Sequence, residues 1–441
     1  MARKQLILNM FAGLGGFHMG AWRMADRDGD LRQTYDIFTW IAKEAERGKM
    51  HAFFLADRLW VTPALGDAPA ASMHQPLDPI SLLSALSQQT RHLGLIGTRN
   101  TTYGEPYHLA REFATLDEIS GGRAAWNVVT GGGEEPPNFG QTDPPAHAER
   151  YARANEFVDA VRSLWDSWDD DAFTFDKESG VYWDKNKVHE LNFEGKYIKV
   201  RGPISVLRPP QGHPLLVQAG TSPDGMALGG RVGDMIFDLS TTLDKNHATR
   251  AKFRDIAASN GRNPDHCKYI PDLHILLGRS EAEAKDKLAA LEEKVDPVAA
   301  LPQLSQIIGI DLKAMRLDDH LPDDIPETAG YRSWQKRYIE MARKDNLTIG
   351  QLARKAVQFP SQVIAGTAAT VADRMEEYLE NDAADGFMCR PATLRTVSDI
   401  VDLLIPELQR REIFRREYVD GTLRDNLALP RPESRYAGGA Q

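Results

Sequence analysis

What most constrains this chain is a recurrence: short, continuous apolar runs end in polar or glycine residues, and each is followed by a segment of helical periodicity. The runs are Gln5 to Phe11, Ala52 to Asp57, Leu93 to Gly97, Arg123 to Val129, Pro214 to Gln218, Asp234 to Leu239, Lys268 to Leu277 and Gly386 to Cys389. Runs apolar throughout, rather than at alternate positions, are the mark of strands buried on both faces, as in a parallel sheet covered by helices. Eight such units predict an α/β fold, a (β/α)8 TIM barrel with long insertions. Such a barrel takes about 250 residues bare and more than 400 with insertions. The 441 residues are therefore read as one barrel domain over 1–425, with insertions at about 169–210 and 296–360, and a tail over 426–441.

The helical segments carry start and stop signals. Asp78-Pro79 reads as N-cap and first helical residue, Glu105-Pro106 opens a helix that Gly121 closes, and Ser280 with Glu283 forms a capping-box pattern. Phe157, Val161, Leu164, Trp165 and Trp168 make one helical stripe, read as core against the barrel.

Composition removes several functions. With 53 Lys+Arg against 63 Asp+Glu the formal net charge is −10, and no basic cluster offers a nucleic-acid footprint. Two cysteines, Cys267 and Cys389, without a CxxC, indicate neither a disulfide framework nor a cysteine zinc site. The histidines show no metal-ligand spacing, so no metal is expected. Neither a signal segment nor an apolar run of about 18 residues is present, and a cytoplasmic enzyme with a small-molecule substrate is expected.

Individual motifs are ambiguous taken one at a time. Phe11 to Phe17, with Gly13, Gly15 and Gly16, resembles the cofactor loop of DNA cytosine methyltransferases. No Pro-Cys-Gln nucleophile accompanies it, and His18 stands where a G-x-G-x-x-G motif needs glycine, so a glycine turn after the first strand is the better reading. Val217 to Ser222 runs from a strand into a small-residue turn with Pro223 at the start of a helix, which suits a phosphate and equally suits an ordinary N-cap. His147 and Tyr151 are four apart on one helical face, with Arg150 adjacent. Asp57 ends the second strand, Thr101 and Thr102 follow the third, and Asn127 to Thr130 end the fourth, all positions that face the mouth of a barrel.

Taken together the segments carry a resemblance. The stretches are Ala45 to Lys49 with Phe54 to Asp57, Thr101 to Tyr107, Ser120 to Thr130, His147 to Tyr151, Leu164 to Trp168, Arg208 to Gly212 with Ala219 to Ser222, and Leu427 to Pro432. In this order, over nearly the whole chain, they resemble the luciferase-like flavin-dependent monooxygenases, in the group of nitrilotriacetate, dibenzothiophene-sulfone and long-chain alkane monooxygenases. The resemblance implies an FMNH2-dependent two-component monooxygenase. Reduced FMN comes from a separate NADH:FMN oxidoreductase, O2 is the co-substrate, and a C4a-hydroperoxyflavin oxygenates a small sulfone, sulfide, aminopolycarboxylate or alkane. It places Asp57, Thr101 or Thr102, His147, Tyr151, Thr221 and Ser222 at the flavin, the last two as a phosphate turn, and Asn127 and Thr130, at the same mouth, are read as cofactor-binding with them. His18 is the candidate catalytic group near the reacting edge of the ring. A homo-oligomer, dimer or tetramer, is expected.

The chain departs from the family pattern in Gly131 to Pro137 and in Arg58-Leu59-Trp60, both on the substrate side. Glu134 and Glu135 disfavour an anionic chelate, Arg58 and Arg99 favour one, and the two cancel. The other class kept open is an F420- or flavin-binding dehydrogenase of the same superfamily, or a flavin-binding protein without catalysis.

Overall fold

Eight parallel strands close on themselves in a computed structural model that describes residues 3–24, 30–60, 76–131, 135–238, 242–327, 332–356 and 363–437. In chain order they are β1 (Ile7–Phe11), β2 (Ala52–Leu55), β3 (Gly94–Asn100), β4 (Ala124–Val129), β5 (Leu215–Ala219), β6 (Met235–Asp238), β7 (Lys268–Leu277) and β8 (Gly386–Pro391). Each pairs in parallel with its successor, and β8 pairs with β1, so the sheet has no open edge between them. This is the (β/α)8 barrel that the eight apolar runs predict. Three strands run further than the apolar pattern, β5 by one residue, Ala219, and β3 and β8 by more. β3 continues through Thr98, Arg99 and Asn100, paired with Asn127, Val128 and Val129, and β8 continues through Arg390. Thr98, Arg99, Asn100 and Arg390 among the extra residues are polar because the strands there enter the mouth.

The helices follow the sequence signals. Asp78 accepts from the Ser81 N–H at the start of α2 (Pro79–Ser87), and Gly121 ends α3 (Pro106–Ser120) at φ +70°. Phe157, Val161, Leu164 and Trp165 of the stripe lie on α4 (His147–Trp165), while Trp168 falls just past its end, and all pack with Phe113, Trp126 and Leu216 in one buried cluster. After β5 comes α5 (Pro223–Val232), and after β6 comes α6 (Leu243–Ser259).

Between α4 and β5 the chain makes a small hairpin, Phe173–Asp176 with Val181–Trp183, and a second short ladder, Phe193–Glu194 with Lys199–Val200. Between β7 and β8 the helices Pro297–Ile308, Arg332–Lys344 and Ile349–Ala356 build a satellite core around Leu304, Ile307 and Leu352. The strand Val363–Gly366, which the apolar pattern does not reveal, pairs with the far end of β7.

The barrel interior is filled by Ile7, Phe54, Ile96, Ala125, Val217, Met235, Ile270 and Met388, together with Leu423, Leu427 and Leu429. Those three leucines come from the C-terminal segment, whose backbone is tied on by Leu423 N–H to Gly122 O at 2.9 Å, just before β4 begins. That end of the barrel is thus closed by chain, leaving the opposite end, at the C-terminal ends of the strands, for ligands.

Candidate active site

Two cavities lie at the C-terminal ends of the strands and share one wall residue, Asp57. The larger encloses about 540 Å³ under β1, β2 and β8, lined by Phe11, Phe17, His18, Trp22, Arg58 and Arg390 among others. The smaller, about 250 Å³, lies over β3, β4 and β5, against Thr98, Asn100, Thr130, Glu135, Tyr151 and Gln218. The larger is within the size range of small-molecule sites, about 300–1,000 Å³, and Asp57 stands between the two.

His18 is held by the loop after β1. Phe17 and His18 donate their backbone N–H groups to Pro391 O and Ala392 O at 3.0 and 3.1 Å, which ties this loop to the exit of β8. Gly16 makes the approach possible: it sits at φ +86°, and a Cβ there would lie 2.5 Å from Ala392 O. The glycines that mimic a methyltransferase loop are therefore a packing device. The His18 ring is 2% exposed, and its Nδ1 accepts from the Gly20 N–H at 3.1 Å. An acceptor Nδ1 puts the ring proton on Nε2, which is buried without a partner. Burial lowers the His18 pKa from 6.5 to about 4. The larger cavity thus carries a neutral imidazole with an unsatisfied N–H.

Asp57 lines both cavities, 3.5 Å from Arg99 Nη1. Thr130 faces the smaller cavity. Thr101 and Thr102 are buried beside it with their hydroxyls turned to backbone, donating to Val129 O at 3.2 Å and Thr130 O at 2.7 Å. Asn127 donates to Thr98 Oγ1 at 2.9 Å, and its buried Oδ1 is without a partner.

Tyr151 lines the smaller cavity from α4, and its ring centroid is 4.8 Å from that of His147. A Cβ on Gly220 would lie 3.2 Å from the Tyr151 hydroxyl and 2.7 Å from Gln218 Nε2, so the turn leading into α5 packs directly against this wall. Ser222 caps α5, its Oγ accepting from the Gly225 N–H at 3.1 Å, while Thr221 is exposed. Asp224 occupies the first turn of that helix and engages His147 Nδ1 at 3.0 Å. The fold therefore gathers His147, Tyr151, Thr221 and Ser222 at one rim.

Sequence reasoning passed over Arg390, Gln218 and Asn100. All three sit at strand ends beyond or at the edge of the apolar runs, and a polar residue closing such a run was the available signal. Gln218 is 2% exposed with Oε1 unpartnered, and Arg390 donates to the fully buried Asp272 at 2.8 Å.

A closed parallel barrel with paired cavities at its C-terminal end is the architecture of a barrel enzyme. Residues 16–385 match the family described as luciferase-like monooxygenase, and the chain belongs to that family. It is 40% identical to nitrilotriacetate monooxygenase component A of Aminobacter aminovorans, over 99% of both chains. It also resembles the solved EDTA monooxygenase of Chelativorans sp. BNC1, with 34% identity, a TM-score of 0.78 and 97% and 99% of the two chains covered. A riboflavin lyase solved with a modified FMN and riboflavin gives 30% identity and a TM-score of 0.82, with 99% and 100% covered. The protein is accordingly an enzyme, a flavin-dependent monooxygenase.

Proposed function

We propose that the protein is the oxygenating component of a two-component monooxygenase, taking reduced FMN from a separate NADH-dependent flavin reductase and oxygenating a small organic substrate. The observation that carries the choice of cofactor is the smaller cavity. Its wall holds a buried, unpartnered amide oxygen on Gln218, and its rim is the glycine turn at the start of α5. An orphaned acceptor suits the N–H groups of a flavin ring, and a helix start preceded by small residues suits its phosphate. Asp224 in the same turn adds one negative charge there, which the His147 contact offsets in part. The relative named component A and the structural neighbour solved with a modified FMN support the same reading.

Thr221, Ser222 and Tyr151 would hold the phosphate end, and Gln218, Asn100 and Asp57 the ring. Bound reduced flavin supplies the electrons that activate O2. The chain's own work is binding, orientation and exclusion of water. Phe11, Phe17 and Trp22 wall the larger cavity, where substrate would sit, and the His18 Nε2–H is a fixed donor for a developing oxyanion. Being neutral, it donates without carrying a charge into the cavity.

The test is direct. The purified protein is expected to bind FMNH2 more tightly than oxidised FMN, measured by anaerobic titration. With a generic reductase, NADH and 18O2, one labelled oxygen atom should enter a product from a substrate panel. Stoichiometric FAD retained through gel filtration, or product formed equally without O2, would sink the reading.

A further inference from the structure

The tie between carboxylates and guanidinium groups in the sequence is broken by their placement. Arg99, one of the two cations in that tie, is spent: it pairs with Asp78 at 2.7 Å, Glu112 at 3.4 Å and Asp57 at 3.5 Å. Glu135 lines the smaller cavity and not the larger one, and Glu134 lies outside the described residues. Arg58 does line the larger cavity, and it pairs with no carboxylate among the described residues. Arg390 lines it as well, although no sequence pattern singles it out.

The two guanidinium groups are prepared in the same way. Arg58 Cζ lies 5.6 Å from the ring centroid of Trp60, and Arg390 Cζ lies 4.9 Å from Phe17 and 5.8 Å from Phe11. Aromatic faces support the flat cation and leave its N–H edges for a ligand. Among the described residues Arg390 makes one ion pair, Nη1 to Asp272 Oδ2 at 2.8 Å, while its Nε is buried without a partner. Among the described residues the charges lining this cavity are Arg58 and Arg390 against Asp57, with His18 neutral. Asp57 faces Arg99 and Arg390 faces Asp272, while Arg58 has no carboxylate partner among the described residues.

We propose that the larger cavity takes an organic anion, an apolar body bearing one carboxylate, with Arg58 and Arg390 as specificity-determining residues that bind the carboxylate. The planar fork of a guanidinium matches the two oxygens of a carboxylate, and Arg58, unpaired with any described carboxylate, and the Arg390 Nε, buried without a partner, leave N–H groups to give to one. Phe11, Phe17, Trp22, Leu14 and Leu31 receive the apolar body. This assignment rests on reading the larger cavity as the substrate side of the flavin site.

The probes are phenylacetate and hexanoate, each beside its neutral amide, titrated calorimetrically into the full chain. Each acid is expected to bind about tenfold or more tightly than its amide. Arg390→Gln and Arg58→Gln should each remove most of that preference while leaving amide affinity within about twofold. Equal binding of acid and amide, an unchanged preference in both variants, or no binding by either acid would overturn the proposal. FMNH2 and reduced riboflavin are titrated into the same variants. A loss larger for FMNH2 than for reduced riboflavin would make the pair a phosphate site and also overturn it. Failure of FMNH2 to bind the wild type, with the acid preference intact, would reject the flavin reading alone.

Discussion

At the scale of single residues, the site works through groups whose options have been narrowed by burial. His18 is held neutral, with a folded pKa of about 4 against an unfolded value of 6.5. The sign of the linkage follows. Above pH 6.5 neither state is protonated and the group contributes no pH dependence. As pH falls from 6.5 towards 4 the unfolded chain takes up a proton that the folded chain excludes, so stability is lost across that window, by up to about 3 kcal/mol. Urea unfolding of wild type at pH 7 and pH 4.5 should show this loss, and His18→Asn should shrink the difference. An unchanged difference in His18→Asn would assign the loss to other groups. The turn before α5 allows binding to be separated from folding. Ser222 caps the helix and Thr221 is exposed, so Ser222→Ala should cost about 1 kcal/mol of stability and Thr221→Ala close to none. Both should weaken FMNH2 more than reduced riboflavin, each lost hydroxyl contact removing about 0.5–1.5 kcal/mol. Equal losses for the two ligands would remove the turn from the phosphate site.

At the scale of elements, the loop after β1 and the exit of β8 form one unit. Gly16 is pressed on Ala392 and Thr393, with a Cβ position 2.6 Å from Thr393 Cα. Gly16→Ala combines a left-handed backbone with a backbone clash, so it should cost about 1–3 kcal/mol. It should also displace His18, read as a weaker pH dependence between 6.5 and 4. A melting temperature equal to wild type would show that this junction yields freely. The Ser120-Gly121-Gly122-Arg123 segment, prominent in the family resemblance, serves the opposite end. Arg123 is 4% exposed and donates to the carbonyls of Ser87, Thr90, Leu93 and Ser120, stapling α2 and α3 to the entry of β4. Its role is to complete buried carbonyls, which is why it lies far from the cavities.

For the molecule as a whole, closure of the barrel depends on residues of the C-terminal segment, far in sequence from most of the strands they seal. Leu423 packs within the cluster formed by Ile7, Ile96 and Leu215, and Arg424 pairs with Asp234 at 2.9 Å just before β6. Leu423→Ala should lower global stability by about 2–5 kcal/mol. FMNH2 affinity should be unchanged in the protein that remains folded, because the cavities lie at the other end. Thermal unfolding beside FMNH2 titration checks both halves of this expectation.

Eight apolar runs with helical segments between them were enough to determine a closed parallel barrel, because strands buried on both faces need apolar residues throughout and helices to cover them. Capping side chains with a following proline likewise determined the starts of α2 and α5, and Pro106 alone that of α3, where Glu105 makes no capping bond. The mouth was legible only in part. Asp57, Thr130, His147, Tyr151 and the 221–222 turn could be singled out because each lies beside a strand end or helix start. Arg390 and Gln218 were passed over although each stands at the end of an apolar run as Asp57 does, because that position by itself marks an ordinary strand end as well. Tertiary structure alone decided which charges were spent. Arg58 and Arg99 look alike in sequence, yet three carboxylates from separate elements converge on Arg99 and none among the described residues on Arg58. It also decided the protonation of His18, because a histidine's charge depends on how much water the fold leaves around it, and that water is removed by Phe17, Gly20 and the exit of β8 arriving together.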